Sequence, residues 1–136
     1  MSSTVFAGVS RVDIAIPNNV WWVDAFQFGT VGDTSWSFTG KNFLLDIKVK
    51  KTDVTPLLAL NSTGGTIVVD DAVNRVLHVL VTDLVIRAHL PVTNCQADPP
   101  VPTYHYDLIM VDIATGERDM LMYGSLAVNQ GTTGED

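Results

Sequence analysis

The chain has 136 residues, of which 46% are hydrophobic and 17% are charged, and its formal net charge is -7. This length and apolar content suit one domain with its own hydrophobic core and exclude a disordered chain. The 8 Lys and Arg residues stand against 15 Asp and Glu residues, which argues against unspecific nucleic-acid binding and against docking on anionic lipid.

Membrane insertion and disulfide cross-linking are also excluded by the sequence. No stretch approaches the roughly 20 apolar residues of a membrane-spanning helix. The single cysteine, Cys95, has no partner for an internal disulfide, and no zinc-ligand spacing is present. Residues 1–4 lack the basic start and apolar core of a signal peptide. We therefore expect one domain over residues 1–136 that folds in a reducing cytoplasm, without a membrane partner.

Alternation of apolar and polar residues runs through most of the chain and predicts strands. The clearest case places Phe43, Leu45 and Ile47 on one face and Asp46 and Lys48 on the other, as in an antiparallel sheet with one wet face. The strand segments in chain order are Val9–Ile16, Val20–Phe28, Phe43–Val49, the short apolar run Leu57–Leu60, Thr66–Val69, Arg75–Val81, Tyr104–Ile113 and Met120–Val128.

The remaining segments are predicted as turns, loops and one helical turn. Trp36 and Phe38 indicate a short strand or a packed loop. Thr82–Leu90 fits a short helix that Thr82 or Asp83 caps. Gly116 suits the positive φ of a hairpin turn. Residues 94–102 form a proline-rich loop, and residues 1–8 and 129–136 are expected to be flexible or to become ordered only on assembly.

About eight strands at regular turn spacing, with at most one short helical turn, predict an all-β domain. Arg75–Val81 is apolar on both faces, so we expect it to be a central strand. The predicted architecture is an antiparallel β-sandwich of the immunoglobulin-like or jelly-roll-like type.

Three tryptophans form the main candidate for a contact surface. Trp21 and Trp22 are adjacent in a predicted strand, so their side chains must point to opposite faces. One of them can lie in the core, while the other must be exposed or covered by a loop or a partner chain. Core packing, a subunit interface and carbohydrate stacking, the last above all at Trp36, are the three interpretations.

Catalytic and metal-binding patterns are weak in this sequence. His78, His89 and His105 lie on separate segments without shared spacing. Asp70, Asp71 and Asn74 together offer oxygen ligands for calcium, but acidic turns of this kind are common for their backbone hydrogen bonds alone. Cys95 and His105 are the cysteine–histidine pair nearest in sequence, and no nucleophile-elbow motif surrounds any serine. We expect a non-enzymatic protein without a metal or cofactor.

The order of these elements carries a resemblance to a known family. Its most telling part is the final Y-x-Y-D-L…D…G…L…G-x-L-x-V pattern, which begins at Tyr104 and ends at Val128. The earlier landmarks are D-I-A-I at 13–16, the Trp-bearing strand at 21–28, F-L-L-D-I-K-V-K at 43–50, L-L-A-L at 57–60, G-G-T-I-V-V at 64–69 and T-D-L…L-P at 82–91.

From Asp13 to Val128 the chain resembles the amino-terminal domain of the baseplate upper protein family, a group of small phage and prophage structural proteins encoded among tail genes. The loop at 94–102 departs from the compact L-P-x-G-x-Y link of that pattern, because it is longer and richer in proline. The resemblance implies a β-sandwich that attaches other parts to a virion, a symmetric homo-oligomer and no active site.

The sequence and the resemblance together predict a bacteriophage virion structural protein that links tail, baseplate or tail-fibre components. It would assemble in the host cytoplasm, with other copies of itself and other virion proteins as partners. A carbohydrate-binding host-attachment module and a head decoration or head-fibre base protein are the alternatives. The interface candidates are Trp21, Trp22, Trp36, Pro99, Pro100 and Pro102.

Overall fold

The computed structural model of the chain describes residues 3–6, 10–30, 32–93 and 101–130, and for residues 3–6 it describes the backbone alone. These residues form two β-sheets and one short helix. The elements are β1 (Ser3–Phe6), β2 (Ser10–Arg11), β3 (Ile14–Pro17), β4 (Trp22–Phe28), β5 (Lys41–Lys48), β6 (Leu58–Asn61), β7 (Ile67–Asp71), β8 (Val76–Val81), α1 (Asp83–His89), β9 (Tyr104–Asp112) and β10 (Arg118–Asn129).

The larger sheet has six strands in the order β2-β10-β9-β5-β6, with β3 also paired to β10. Its centre is the antiparallel ladder of β5, β9 and β10. Alternate residues of β5 and β9 are buried, as the period-two patterns predicted. The opposite face of these strands carries polar side chains such as Asp46, Lys48 and Asp107 together with the apolar side chains of Leu44, Ile109 and Val111.

The smaller sheet places β8 between β4 and β7 in antiparallel register, and the backbone of β1 pairs with the other side of β4. The interior position of β8 confirms the expectation from its two apolar faces. Leu77, Val79 and Val81 of this strand are buried.

The prediction of a purely antiparallel fold is wrong, because β2 and β3 run parallel to β10 and β1 runs parallel to β4. Alternation shows which face a residue occupies but says nothing of strand direction. A tight hairpin forces neighbouring strands to be antiparallel, whereas β2 and β3 meet a strand from the far end of the chain. The described residues contain ten strands, two more than the expected number.

The predicted strand Val9–Ile16 is interrupted at Val12 and Asp13. Val12 N–H donates to the Tyr123 carbonyl at 2.8 Å, and the Tyr106 hydroxyl donates to the Val12 carbonyl at 2.6 Å. Gly124 permits this approach, since a Cβ at that position would lie 2.0 Å from the Val12 oxygen. The early segment therefore crosses β10 at its glycine and resumes pairing at Ile14.

Buried side chains from both sheets form one hydrophobic cluster. Phe38 belongs to it and confirms the packed-loop alternative for residues 36–38, with its ring centroid 4.6 Å from Phe43 and 5.9 Å from Phe28. The helix α1 closes one end of the cluster with Ile86, and the side chain of Thr82 accepts its N-terminal hydrogen bond from Val85. In the part of the chain that is described, no helix is long and apolar enough to cross a membrane.

Candidate functional site

A groove with a volume of about 510 Å³ lies over the ladder of β2, β10, β9 and β5. Its side chains come from alternate positions of β5 and β9, whose intervening residues are buried in the core. Lys51 from the turn after β5 and Met120 of β10 also line the groove. The strand pattern that builds the core therefore also builds this groove on the opposite face.

The sheet register arranges the groove residues in two rows across the strands. In the first row, Asp46 of β5 lies opposite Asp107 of β9, Asp107 lies opposite Tyr123 of β10, and Tyr123 lies opposite Arg11 of β2. We call this the Asp–Tyr row. It brings two carboxylates and an aromatic ring onto neighbouring strands although their residues are far apart in sequence.

The second row runs beside the first. Lys48 of β5 lies opposite His105 of β9, and His105 lies opposite Ser125 of β10. An Asp13 oxygen accepts hydrogen bonds from the Ser125 N–H and hydroxyl, each at 3.0 Å, and the Arg11 Nε at 3.2 Å. These bonds, led by the Ser125 N–H, lower the pKa of Asp13. They fix the rim of the groove at the β2–β10 edge.

The two carboxylates of the Asp–Tyr row are like charges in directly opposite positions, an arrangement that destabilises a sheet. Burial is the main cause that raises the pKa of Asp107, the charge of Asp46 raises it further, and Lys48 opposes both effects. Among the described residues, neither carboxylate accepts a hydrogen bond or forms a direct ion pair. The groove floor therefore holds acceptors whose hydrogen-bonding capacity is available to a ligand.

The interface candidates lie in different places. Trp22 is 3% exposed and its Nε1 donates to Asp24 at 2.8 Å, so its side chain belongs to the core. Trp21 is 56% exposed, which confirms that the adjacent tryptophans divide between core and surface. Pro102 is exposed. Pro99, Pro100, Cys95 and residues 131–136 lie outside the described residues.

Trp36 lies at the opposite end of β4 from Trp21 and Trp22. Its ring packs against Phe38 and lies beneath the guanidinium of Arg75, whose carbon is 5.2 Å from the ring centroid. The structure therefore does not gather the three tryptophans into one surface. Trp36 is part of a packed loop rather than an open platform for sugar stacking.

The structural role of Arg75 was not indicated by any sequence pattern. Its side chain is fully buried and its guanidinium donates to five backbone carbonyls at 2.6–3.0 Å. These carbonyls belong to Phe28, Thr30, Asp33, Trp36 and Val73. Arg75 thereby holds the loop residues Thr30, Asp33 and Trp36 on the smaller sheet, a role without any local sequence signal.

Exposed apolar side chains lie at the Trp21 end of the domain, which we define by Val20, Trp21 and Leu84. These residues are 50%, 56% and 69% exposed. Arg87 Nη1 donates to the Asn18 carbonyl at 3.0 Å and so holds α1 beside the segment that carries Trp21. This end therefore presents apolar surface from a strand entry and from a helix.

The histidines and the acidic turn lie in separate environments. His78 Nδ1 lies 2.8 Å from Asp70, His89 is in the last turn of α1, and His105 is in the groove. Asp71 accepts hydrogen bonds from the backbone and side chain of Asn74, the ordinary bonding of an acidic turn. The described ranges contain no cluster of three His, Cys, Asp or Glu side chains that could hold a metal ion.

Comparison with known proteins adds no relative to this picture: no protein-family model matches the chain, and no curated protein is similar to it.

Proposed function

We propose that this chain is a structural module of a bacteriophage virion that links tail, baseplate or tail-fibre components through protein–protein contacts. The virion assignment is supported by the order of motifs from Asp13 to Val128 and their resemblance to the baseplate upper protein family. The two-sheet fold is compatible with the β-sandwich that this resemblance implies, for which we propose the immunoglobulin-like or jelly-roll-like type. Assembly as a homo-oligomer in the host cytoplasm follows from the same resemblance.

The observation that carries an assembly role is the exposure of Trp21. Trp22 already fills the core position at the start of β4, so the fold has no need of a second tryptophan beside it. Tryptophan is enriched among the anchors of protein interfaces, where burial of its large ring contributes much of the affinity. The exposed Val20 and Leu84 extend the apolar surface around this anchor.

The assembly role is tested by the mass of the purified chain in solution, measured by sedimentation over a range of concentrations. We expect a homo-oligomer whose mass falls to that of the monomer in Trp21→Ser. Val73→Ser is the matched control, because Val73 is 57% exposed and precedes the start of β8, whose other end pairs with Trp22 through Val81. Equal masses for the parent chain and Trp21→Ser would refute a contact between copies through Trp21.

The virion location is tested separately by cryo-electron microscopy of the particle that contains this protein. Density for the two-sheet fold at the tail, baseplate or fibre junction would support the proposal and identify the neighbouring proteins. Density on the capsid would instead favour the head decoration or head-fibre alternative. Absence of the fold from the particle would reject the virion assignment.

A further inference from the structure

We propose that the groove over β5, β9 and β10 is a binding site for a neutral, hydroxyl-rich ligand, namely a short saccharide. This inference goes beyond the assembly role, because the groove lies on the six-stranded sheet whereas Trp21 precedes a strand of the other sheet. Its volume of about 510 Å³ falls within the range of small-molecule sites in proteins.

The charges of the groove select a neutral ligand. Asp46 and Asp107 form its acidic centre, and Lys48, Lys51 and Arg11 stand around them. An anionic ligand would meet the two carboxylates, while a cationic ligand would meet the three basic side chains. A ligand without charge avoids both repulsions and can still form hydrogen bonds with the two carboxylates and the lysine ammonium groups.

The hydrogen-bonding groups select hydroxyls. An ionised carboxylate only accepts hydrogen bonds and a lysine ammonium only donates them, whereas a hydroxyl does both. Sugar hydroxyls can therefore donate to Asp46 or Asp107 and accept from Lys48 in one bound pose. Because the described residues supply no hydrogen bond to either carboxylate, the ligand would satisfy acceptors that the fold leaves open.

Tyr123 supplies the apolar contact that a sugar ring requires. It lies directly opposite Asp107 across the β9–β10 ladder, so one sugar unit can reach both residues. An aromatic ring packs against the C–H face of a pyranose while a neighbouring polar group fixes its hydroxyls. Met120 extends the apolar part of the wall along β10.

The like-charge pair also indicates a role in binding rather than in folding. Asp46 and Asp107 gain no compensating ion pair from their opposition, and the raised pKa of Asp107 reflects the cost of its charge. Functional sites commonly retain groups that lower stability. A substitution that removes one charge should therefore stabilise the fold and lower the affinity for the ligand.

The test is an NMR titration of the isotopically labelled full chain with four disaccharides, each used separately: cellobiose, lactose, maltose and chitobiose. We expect at least one of them to shift the amide signals of Asp46, Asp107 and Tyr123 with a Kd of about 0.1–10 mM. If none shifts these signals at about 10 mM, or if arginine methyl ester shifts them and the sugars do not, the proposal is wrong.

Variants then separate binding from folding. Asp107→Asn and Tyr123→Ala should each lower the affinity for the disaccharide by about fivefold or more. Asp119 is an exposed carboxylate of β10 outside the groove, so Asp119→Asn should leave the affinity unchanged. Asp107→Asn should unfold no more easily than the parent chain, so its loss of affinity cannot come from loss of structure. Unchanged affinity in both groove variants would overturn the proposal. The sedimentation of Trp21→Ser is independent of these outcomes and tests the assembly role alone.

Discussion

The guanidinium carbon of Arg75 lies 5.2 Å from the centroid of the Trp36 ring, and the same side chain donates to the Trp36 carbonyl at 3.0 Å. This double contact is part of a set of five carbonyl bonds, three of which, to Thr30, Asp33 and Trp36, fasten the loop that follows β4. Arg75 also has a φ of 59°, a left-handed conformation that is uncommon for a residue other than glycine. The loop geometry and the arginine therefore depend on each other.

Replacement of this buried arginine should unfold the chain readily. We expect Arg75→Ala to lower the free energy of unfolding by at least about 3 kcal/mol, because several carbonyls lose their donor at once. Arg75→Lys should also be destabilising, since one ammonium cannot reproduce the planar fork. Urea unfolding followed by fluorescence measures both changes. Arg118→Ala, at an exposed position of β10, is the control and should lie within about 0.5 kcal/mol of the parent.

The hydroxyl of Tyr106 should contribute measurably to stability. It is buried and bonded to the Val12 carbonyl at 2.6 Å, and burial strongly raises its pKa. Tyr106→Phe should cost about 1–2 kcal/mol, because the Val12 carbonyl loses its donor. Tyr123→Phe is the matched control on the groove side, where loss of the hydroxyl should cost less than about 0.5 kcal/mol in the same urea titration. Equal effects would contradict the assigned anchoring role of Tyr106.

The adjacent tryptophans should differ sharply in their effect on folding. Trp22→Ala deletes a side chain that is only 3% exposed and should lower the free energy of unfolding by about 3–5 kcal/mol. Trp21→Ala removes a side chain that is 56% exposed, and its effect on the isolated monomer should stay within about 1 kcal/mol. Chemical unfolding at low protein concentration measures this difference without a contribution from association. A large loss in Trp21→Ala under these conditions would show that Trp21 belongs to the core.

Asp107→Asn should stabilise the chain in a pH-dependent manner. The pKa of Asp107 is raised in the folded chain, so the native state holds its proton more tightly than the unfolded state. Stability is therefore lost as the pH rises from the unfolded pKa of about 3.9 through the higher folded value. The gain in Asp107→Asn should reach about 0.2–1 kcal/mol at pH 7 and shrink towards pH 4. Thermal unfolding at both pH values tests the sign; a gain that grows at low pH would refute it.

Local patterns were sufficient to predict the strands that build the core. Phe43, Leu45 and Ile47 are buried as their alternation indicated, and Thr82 caps the short helix. The division of Trp21 and Trp22 between surface and core also follows from the geometry of a strand. These features depend on neighbours within a few residues, which is the range over which a sequence pattern is informative.

The groove and the parallel edge could not be predicted in this way. Asp46 and Asp107 were each recognisable as the polar positions of a strand, but their opposition depends on the register between two distant strands. The role of Arg75 similarly requires carbonyls from Phe28 to Val73 to converge on one point. Strand direction at β10 depends on the route of the whole chain between its paired segments, and alternation contains no information about that route.

The parallel pairing of β3 with β10 has a consequence for the order of folding. Asp13 and Ser125, which lie beside this pairing, are 112 residues apart in the chain. Closing so long a loop carries a large entropic cost until the intervening sheets have formed. On the ribosome, residues 10–17 must therefore wait for nearly the whole chain before they can dock. Until β10 has been made, residues 10–17 lack the strand edge with which they pair and can pair with another chain instead, so delayed synthesis of residues 118–129 should lengthen the time in which the nascent chain is open to mispairing.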